Sequence, residues 1–224
     1  MIRWHISLDG KRARPDGSAK RHYRLVWSET MLCQACHAPA RGFVCARCRA
    51  RLRPAPERIL DYGIRLVAAF EHEGVARELV HGLKYRGMTP FADLVVETVS
   101  PRVPALPVLP VPRTWSRQLR YGVDPAREIG QRLAKAKKVP LVDVLSAPLH
   151  APRRAGGDHN RPPPDLKAAK ALSGPVILVD DVVTTGATVR SAVRALGSER
   201  IALVLAATLA DTVSSPRSTN LERP

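Results

Sequence analysis

The sequence predicts an α/β fold: a mostly parallel sheet flanked by helices, preceded by a small module built on cysteines. Three observations carry this. Apolar, β-branched runs alternate with segments of helical periodicity between residues 60 and 210. Several of those runs are apolar throughout, as strands covered on both faces are. Ahead of them, Cys33, Cys36, Cys45 and Cys48 sit close together as two CxxC pairs.

Residues 1–30 lack sustained periodicity and mix charge with Gly, Pro and Ser, so they are expected to form a basic tail of uncertain order. The chain carries 36 Lys and Arg against 20 Asp and Glu, a formal net charge of +16, and its first 60 residues hold 13 of the former and 4 of the latter. Such a balance favours anionic partners, among them nucleic acid and phosphorylated metabolites, and the aromatics in the basic tail are compatible with base stacking. No run reaches the roughly 20 apolar residues of a membrane helix, the longest candidate being 201–210. The basic first residues are followed by no apolar core and small-residue cleavage site, so no secretory signal is expected and the cytoplasm is the default compartment.

The cysteine module is expected over residues 31–58. Its spacing lets two short knuckles offer four thiolates to one tetrahedral ion, for which Zn²⁺ is the natural occupant. A zinc held by four protein sulfurs has no open position for water, so the site would be structural. A redox dithiol, disulfides or an iron–sulfur cluster are the competing uses, and a reducing compartment argues against disulfides. His37, beside Cys36, reads as a solvent-facing residue.

The larger domain is expected over 60–210. Leu66–Phe70 reads as a strand, followed by a helix with Val75, Leu79, Val80 and Leu83 on one face. LPVLPVP is a proline-interrupted strand ending at Pro112, and Asp124 with Pro125 signals the start of a helix striped by Ile129 and Leu133. A further strand is expected at 141–145, then a long loop rich in Gly, Pro and charge that contains Arg153, Arg154 and Arg161. PVILVD is a buried strand. The helix after it carries Val189, Ala192, Val193 and Leu196 and is closed by Gly197. RIALVLAATLA supplies a last buried strand, and 211–224 reads as a flexible tail.

The most informative segment is VILVDDVVTTGATV, 176–189. Its strand is expected to run out at Asp180 and Asp181, after which the chain turns through Thr184, Thr185 and Gly186 into a helix. Ligands of parallel sheets bind beyond the carboxyl ends of the strands, where a helix start offers unpaired N–H groups to an anion. Thr184, Thr185 and Thr188 add hydroxyls, and Gly186 lets the backbone come close to a phosphate. Carboxylates beside a phosphate repel it unless they accept from something else, and the 2′ and 3′ hydroxyls of a ribose suit them. A Mg²⁺ site, or a strand-end acid pair beside a threonine cap, are the alternatives.

This segment resembles the signature by which type I phosphoribosyltransferases bind phosphoribosyl pyrophosphate (PRPP). The resemblance implies Asp180 and Asp181 on the ribose hydroxyls, Thr184, Thr185, Gly186, Ala187 and Thr188 around the 5-phosphate, and Mg²⁺ accompanying the ligand. The order of parts, four cysteines and then one such domain, resembles the ComF family, the competence-associated phosphoribosyltransferase-like proteins of bacteria. HGLKYRGM, with Lys84 and Tyr85, and PVLPVPRTWSRQLR look like that family's helix and pyrophosphate loop, so Arg113, Arg117 and Arg120 are candidates for pyrophosphate contact. Where the family shows Arg-Gly-Phe-Asn-Gln, this chain has Arg120, Tyr121, Gly122, Val123 and Asp124.

The resemblance implies two functions. One is a PRPP-binding protein that transfers the phosphoribosyl group with Mg²⁺. The other is a non-catalytic protein that handles single-stranded DNA during uptake and natural transformation, with competence proteins as partners. No general base stands out, and neither the acceptor nor the oligomeric state is legible.

Overall fold

A computed structural model describes residues 31–149 and 165–210. The expected basic tail, the loop arginines at 153, 154 and 161, and the tail at 211–224 lie outside the described residues. Two short strands, β1 (Met31–Leu32) and β2 (Pro39–Ala40), pair antiparallel and precede a single helical turn, α1 (Ala46–Arg49). The main sheet has the order β3-β4-β9-β8-β5. Its strands are β3 (Arg58–Ile59), β4 (Arg65–Glu71), β5 (Val108–Pro110), β8 (Val176–Val183) and β9 (Ile201–Leu209). β4, β9, β8 and β5 run parallel and β3 alone is antiparallel, at the edge beside β4.

The apolar strands predicted this arrangement because both sheet faces are covered. On one face, Val67, Ile177, Val179, Leu203 and Leu205 meet three helices: α2 (Gly74–Arg86), α3 (Pro90–Val99) and α5 (Pro125–Lys137). Leu79, Leu83, Phe91, Val95, Ile129 and Leu133, the side chains they bring, are at most 1% exposed. Full burial of each contributes roughly 1.5–3 kcal/mol. On the other face, Leu66, Ala68, Leu178 and Val204 pack against α6 (Ala187–Leu196) through Val189, Ala192 and Val193. Cys33, Ala40 and Cys48 join the first of these two clusters, so the cysteine knuckles share a core with α2 and α3.

Helix ends follow local chemistry. The Asp124 carboxylate accepts from the Arg127 N–H at 3.2 Å, with Pro125 pre-set in the first turn. α2 stops at Gly87, whose φ of 65° is open to a residue without Cβ. Gly130 of α5 lets that helix ride close on β5: a Cβ there would lie 3.3 Å from Leu141 Cδ1 and 3.4 Å from Val108 Cγ1.

Three expectations are corrected. The strand predicted over 141–145 is reduced to one parallel bridge, Leu141 to Val108, and a two-residue strand β6 (Leu145–Ser146) paired with β7 (Lys167–Ala168). Between them the Asp143 carboxylate turns out to Arg127, 2.8 Å away. The strand carrying the acid pair does not run out at Asp180 and Asp181; it continues to Val183, and Val182 and Val183 stay in register with Thr208 and Leu209 of β9. The proline-interrupted strand ends at Pro110 rather than Pro112.

Candidate functional site

The parallel strands end at one edge of the sheet, and a cleft of about 180 Å³ lies there. It is lined by residues of α2 (Lys84, Tyr85), the segment after β5 (Arg113, Thr114), the start of α5 (Asp124), β8 (Asp180, Asp181) and α6 (Thr188). Four separate chain segments thus converge on it.

Asp180 and Asp181 are adjacent on β8 and differ in surroundings. Asp180 is 9% exposed and accepts from the Asp181 N–H at 2.8 Å. Burial, reinforced by the Asp181 charge, pushes its carboxyl up to about 7, against the pull of Lys84. Asp181 forms an ion pair with Lys84 Nζ at 3.0 Å, the two side chains being 19% and 23% exposed. The chain itself therefore supplies the cation that this acid pair needs. Lys84 reaches it from the last turn of α2, five helical positions beyond Leu79.

Thr184 and Thr185 are exposed in the turn after β8, and Gly186 adopts a φ of 69°, which favours glycine at that point. α6 then begins without a side-chain cap, so its first N–H groups face the turn uncapped. Arg190 of α6 braces the turn, Nη1 donating to Thr185 O at 2.8 Å and pairing with Asp61 at 3.2 Å. Of the residues from 180 to 188, Asp180, Asp181, Val182 and Thr188 line the cleft.

Arg113 is engaged by the protein. Its Nη1 donates to Val123 O at 2.6 Å and to Lys84 O at 3.1 Å, and its guanidinium lies 5.0 Å from the Tyr121 ring centre and 5.9 Å from that of Tyr85. Its backbone N–H donates to Asp124 at 3.2 Å, so Asp124 ties the start of this segment to the start of α5. Burial raises the Asp124 carboxyl, opposed by those two N–H donors. Arg117 falls within a seven-residue helix, α4 (Trp115–Tyr121), and the Arg120 guanidinium lies 5.5 Å from the Tyr121 ring centre. Trp115 and Leu119 are exposed on the same helix.

Lys84 entered the sequence reading only through a resemblance, and Asp124 only as a helix cap. The cleft was foreseen at the strand ends. What the sequence did not signal is that the last turn of α2 packs across them.

The second site is the cysteine cluster. The four Sγ atoms lie within 4.8 Å of one another, and those of Cys36 and Cys45 are 3.7 Å apart. Zn–S bonds of about 2.3 Å in a tetrahedron put sulfurs about 3.8 Å apart, so the donor set fits zinc. The N–H of Cys45 points to Cys33 Sγ and that of Cys48 to Cys45 Sγ, both at 3.4 Å, which favours thiolates. Burial opposes a charge on Cys33, yet the N–H groups of Cys45, Cys36 and Ala35 draw its thiol down to about 6. Burial and the neighbouring sulfurs push Cys48 up to about 12. Four thiolates this close repel one another, and a divalent cation at their centre removes the conflict. His37 is exposed and outside the cluster. A two-site protein results, with a closed sulfur cage and an open polar cleft.

Residues 119–220 match the family described as "Phosphoribosyl transferase domain". That span takes in α5, β8, α6 and β9, hence Asp180 to Thr188, and excludes the cysteine cluster, Lys84 and Arg113. No curated protein matches the chain. Among the described residues, no helix is long and apolar enough to cross a membrane.

Proposed function

We propose that the cleft binds PRPP and that the protein is a phosphoribosyltransferase-like protein of the ComF type, cytoplasmic, with a structural zinc at Cys33, Cys36, Cys45 and Cys48. The observation that carries the reading is the pairing, on one strand-to-helix unit, of two acids with an uncapped helix start. Asp181, with Asp180 behind it, accepts from the ribose hydroxyls. Thr184, Thr185, Gly186, Ala187 and Thr188 surround the 5-phosphate at the start of α6, where the helix dipole and free N–H groups favour an anion. Lys84 faces the opposite end of the ligand, with Arg113 and Arg117 as further candidates for the pyrophosphate.

Mg²⁺, where it accompanies the ligand, would supply charge neutralisation at the phosphates, and Asp181 is the carboxylate that would help hold it. In a transfer, the bond from the anomeric carbon to pyrophosphate breaks as the acceptor's bond forms, and positive charge develops on the sugar. The chain's contribution is to hold the ribose still and to neutralise the departing pyrophosphate with Lys84. No side chain in the cleft is assigned as a general base.

The test is PRPP binding with Mg²⁺, by calorimetry and by release of pyrophosphate across a panel of bases. Wild type should bind, and Asp180→Asn with Asp181→Asn should bind at least tenfold more weakly. A wild type whose melting temperature PRPP does not raise is incompatible with the proposal.

A second reading, single-stranded DNA handling in transformation with competence proteins as partners, is favoured by the basic excess in residues 1–60 and by exposed Trp115 and Tyr85 beside arginines. Under that reading affinity for single-stranded DNA falls steeply with salt and drops when residues 1–30 are removed. Salt-indifferent affinity excludes it.

A further inference from the structure

The three carboxylates of the cleft are all engaged. Asp181 pairs with Lys84 at 3.0 Å, Asp180 accepts from the Asp181 N–H at 2.8 Å, and Asp124 accepts from the N–H groups of Arg113 and Arg127, both at 3.2 Å. Transfer to a nitrogen acceptor releases a proton, and these groups leave open where it goes. His72 stands at the same edge of the sheet. It follows β4 directly, and its backbone N–H donates to Leu209 O at 2.7 Å, fixing it across the carboxyl end of β9. Its ring Nδ1 lies 2.8 Å from Oγ1 of Thr208, which has no exposed surface. Thr208 is in register with Val182 of β8, and Val182 lines the cleft. One strand spacing, about 4.8 Å, separates the residue that anchors the imidazole from the wall of the cleft. Nε2 of the half-buried ring has no partner among the described residues and is not enclosed. Burial, then Lys84 and Arg77 of α2, disfavour a charge on the ring, and Asp181 of β8 opposes them; the balance holds His72 below the usual imidazole range, so it is neutral at pH 7.

We infer that His72 is the proton acceptor of the transfer, its Nε2 taking the proton of the acceptor's N–H group while Thr208 holds the ring in place. The inference rests on the transferase reading of the neighbouring cleft and adds a residue to it. With Nδ1–H donating to the Thr208 oxygen, Nε2 carries the lone pair. The acceptor nitrogen's electron pair forms the bond to the anomeric carbon as the carbon–oxygen bond to pyrophosphate breaks, and pyrophosphate leaves with that bond's electrons. The proton on the nitrogen passes to Nε2. The resulting imidazolium is supported by Asp181 and returns its proton to water, so the ring is regenerated. The acceptor would then lie over the end of β9, between His72 and the ribose that Asp181 holds.

The experiment follows pyrophosphate release from PRPP with Mg²⁺ by the full-length, zinc-loaded chain between pH 5 and 8.5. The acceptor is whichever nucleobase of a panel gives the fastest release, or water where none does. His72→Asn keeps a polar atom for Thr208 and removes the base. It should release pyrophosphate about 100-fold more slowly or worse, bind PRPP within about threefold of wild type, and lose the rise in rate that wild type shows below pH 6.5. A rise near pH 7 belongs to Asp180 and survives the substitution. His72→Ala should be equally slow and recover on adding imidazole, in proportion to its unprotonated form, which a structural role would not produce. Wild-type release by His72→Asn overturns the inference, as does a His72→Ala protein indifferent to imidazole. A parallel loss of PRPP affinity overturns it too, because His72 then serves binding. Where a variant does not fold, the wild-type profile decides, and a rate flat between pH 5 and 6.5 overturns the inference. If wild type binds PRPP but releases no pyrophosphate with any base or water, this inference falls and PRPP binding stands. If it does not bind PRPP, both fall.

Discussion

Replacing Lys84 by Met isolates the electrostatics of the cleft. The ion pair to Asp181 spans 3.0 Å between side chains 23% and 19% exposed, so it is neither a solvated surface contact nor a fully dry one. At an effective dielectric near 20, the attraction at that distance is about 5 kcal/mol. Dehydrating the ammonium group offsets part of it, and the net cost of removing one partner should be about 2–4 kcal/mol, because Asp181 and Asp180 are left facing each other. The pH dependence sharpens this. Asp180 titrates near 7 in the folded chain against an ordinary value of 3.8. Between those values the folded protein keeps a proton that the unfolded chain has released, so stability falls as pH rises through that window and levels off above it. Lys84 holds this folded value down, and without it the Asp180 carboxyl rises further and the fall continues to higher pH. The penalty of Lys84→Met should therefore be smallest at pH 5.5 and largest at pH 8.5. At the upper pH it corresponds to a melting temperature lowered by roughly 5–15 °C for a chain of this size. Cysteine titration affects both proteins alike, so the difference between their denaturant curves at the two pH values is the measurement. A penalty independent of pH, or smaller at pH 8.5, refutes the argument.

Metal analysis should find about one Zn²⁺ per chain, lost in Cys33→Ser with Cys45→Ser, and a folded wild type free of metal would exclude the sulfur cage. Gly130→Val should destabilise the protein by about 1–3 kcal/mol in urea, since its side chain meets Leu141 and Val108 across the α5–β5 contact; an unchanged midpoint would mean that this contact yields.

How much of this was legible can be argued residue by residue. Helices α2, α5 and α6 announce themselves because Leu79 and Leu83, Ile129 and Leu133, and Val189 and Val193 each recur at helical spacing against polar neighbours. α3 does not. Its PFADLVVETV buries Leu94, Val95 and Val96 in succession, so only Asp93 and Glu97, one turn apart, mark its exposed side, and a run this short and apolar reads equally as a strand. β8 outlasts its apolar stretch because its pairing with β9 tolerates Asp180 opposite Ala206, a small neighbour that periodicity cannot reveal. The acid pair and the turn after it were readable as chemistry, since each residue type there has a distinct use. The Lys84–Asp181 pair was not, because it joins positions almost a hundred residues apart, and no local pattern encodes which helix end crosses which strand end. Thr114 was likewise silent: a threonine before a helix reads as a cap, yet its buried oxygen makes no cap bond.

The packing of Cys33, Ala40 and Cys48 into the same cluster as Leu83 and Phe91 makes the sulfur cage a fuse for the cleft. Oxidation of these sulfurs would relax knuckles that share a core with α2, and α2 carries Lys84 at its far end. Peroxide would then disturb a cleft whose lining contains no sulfur at all.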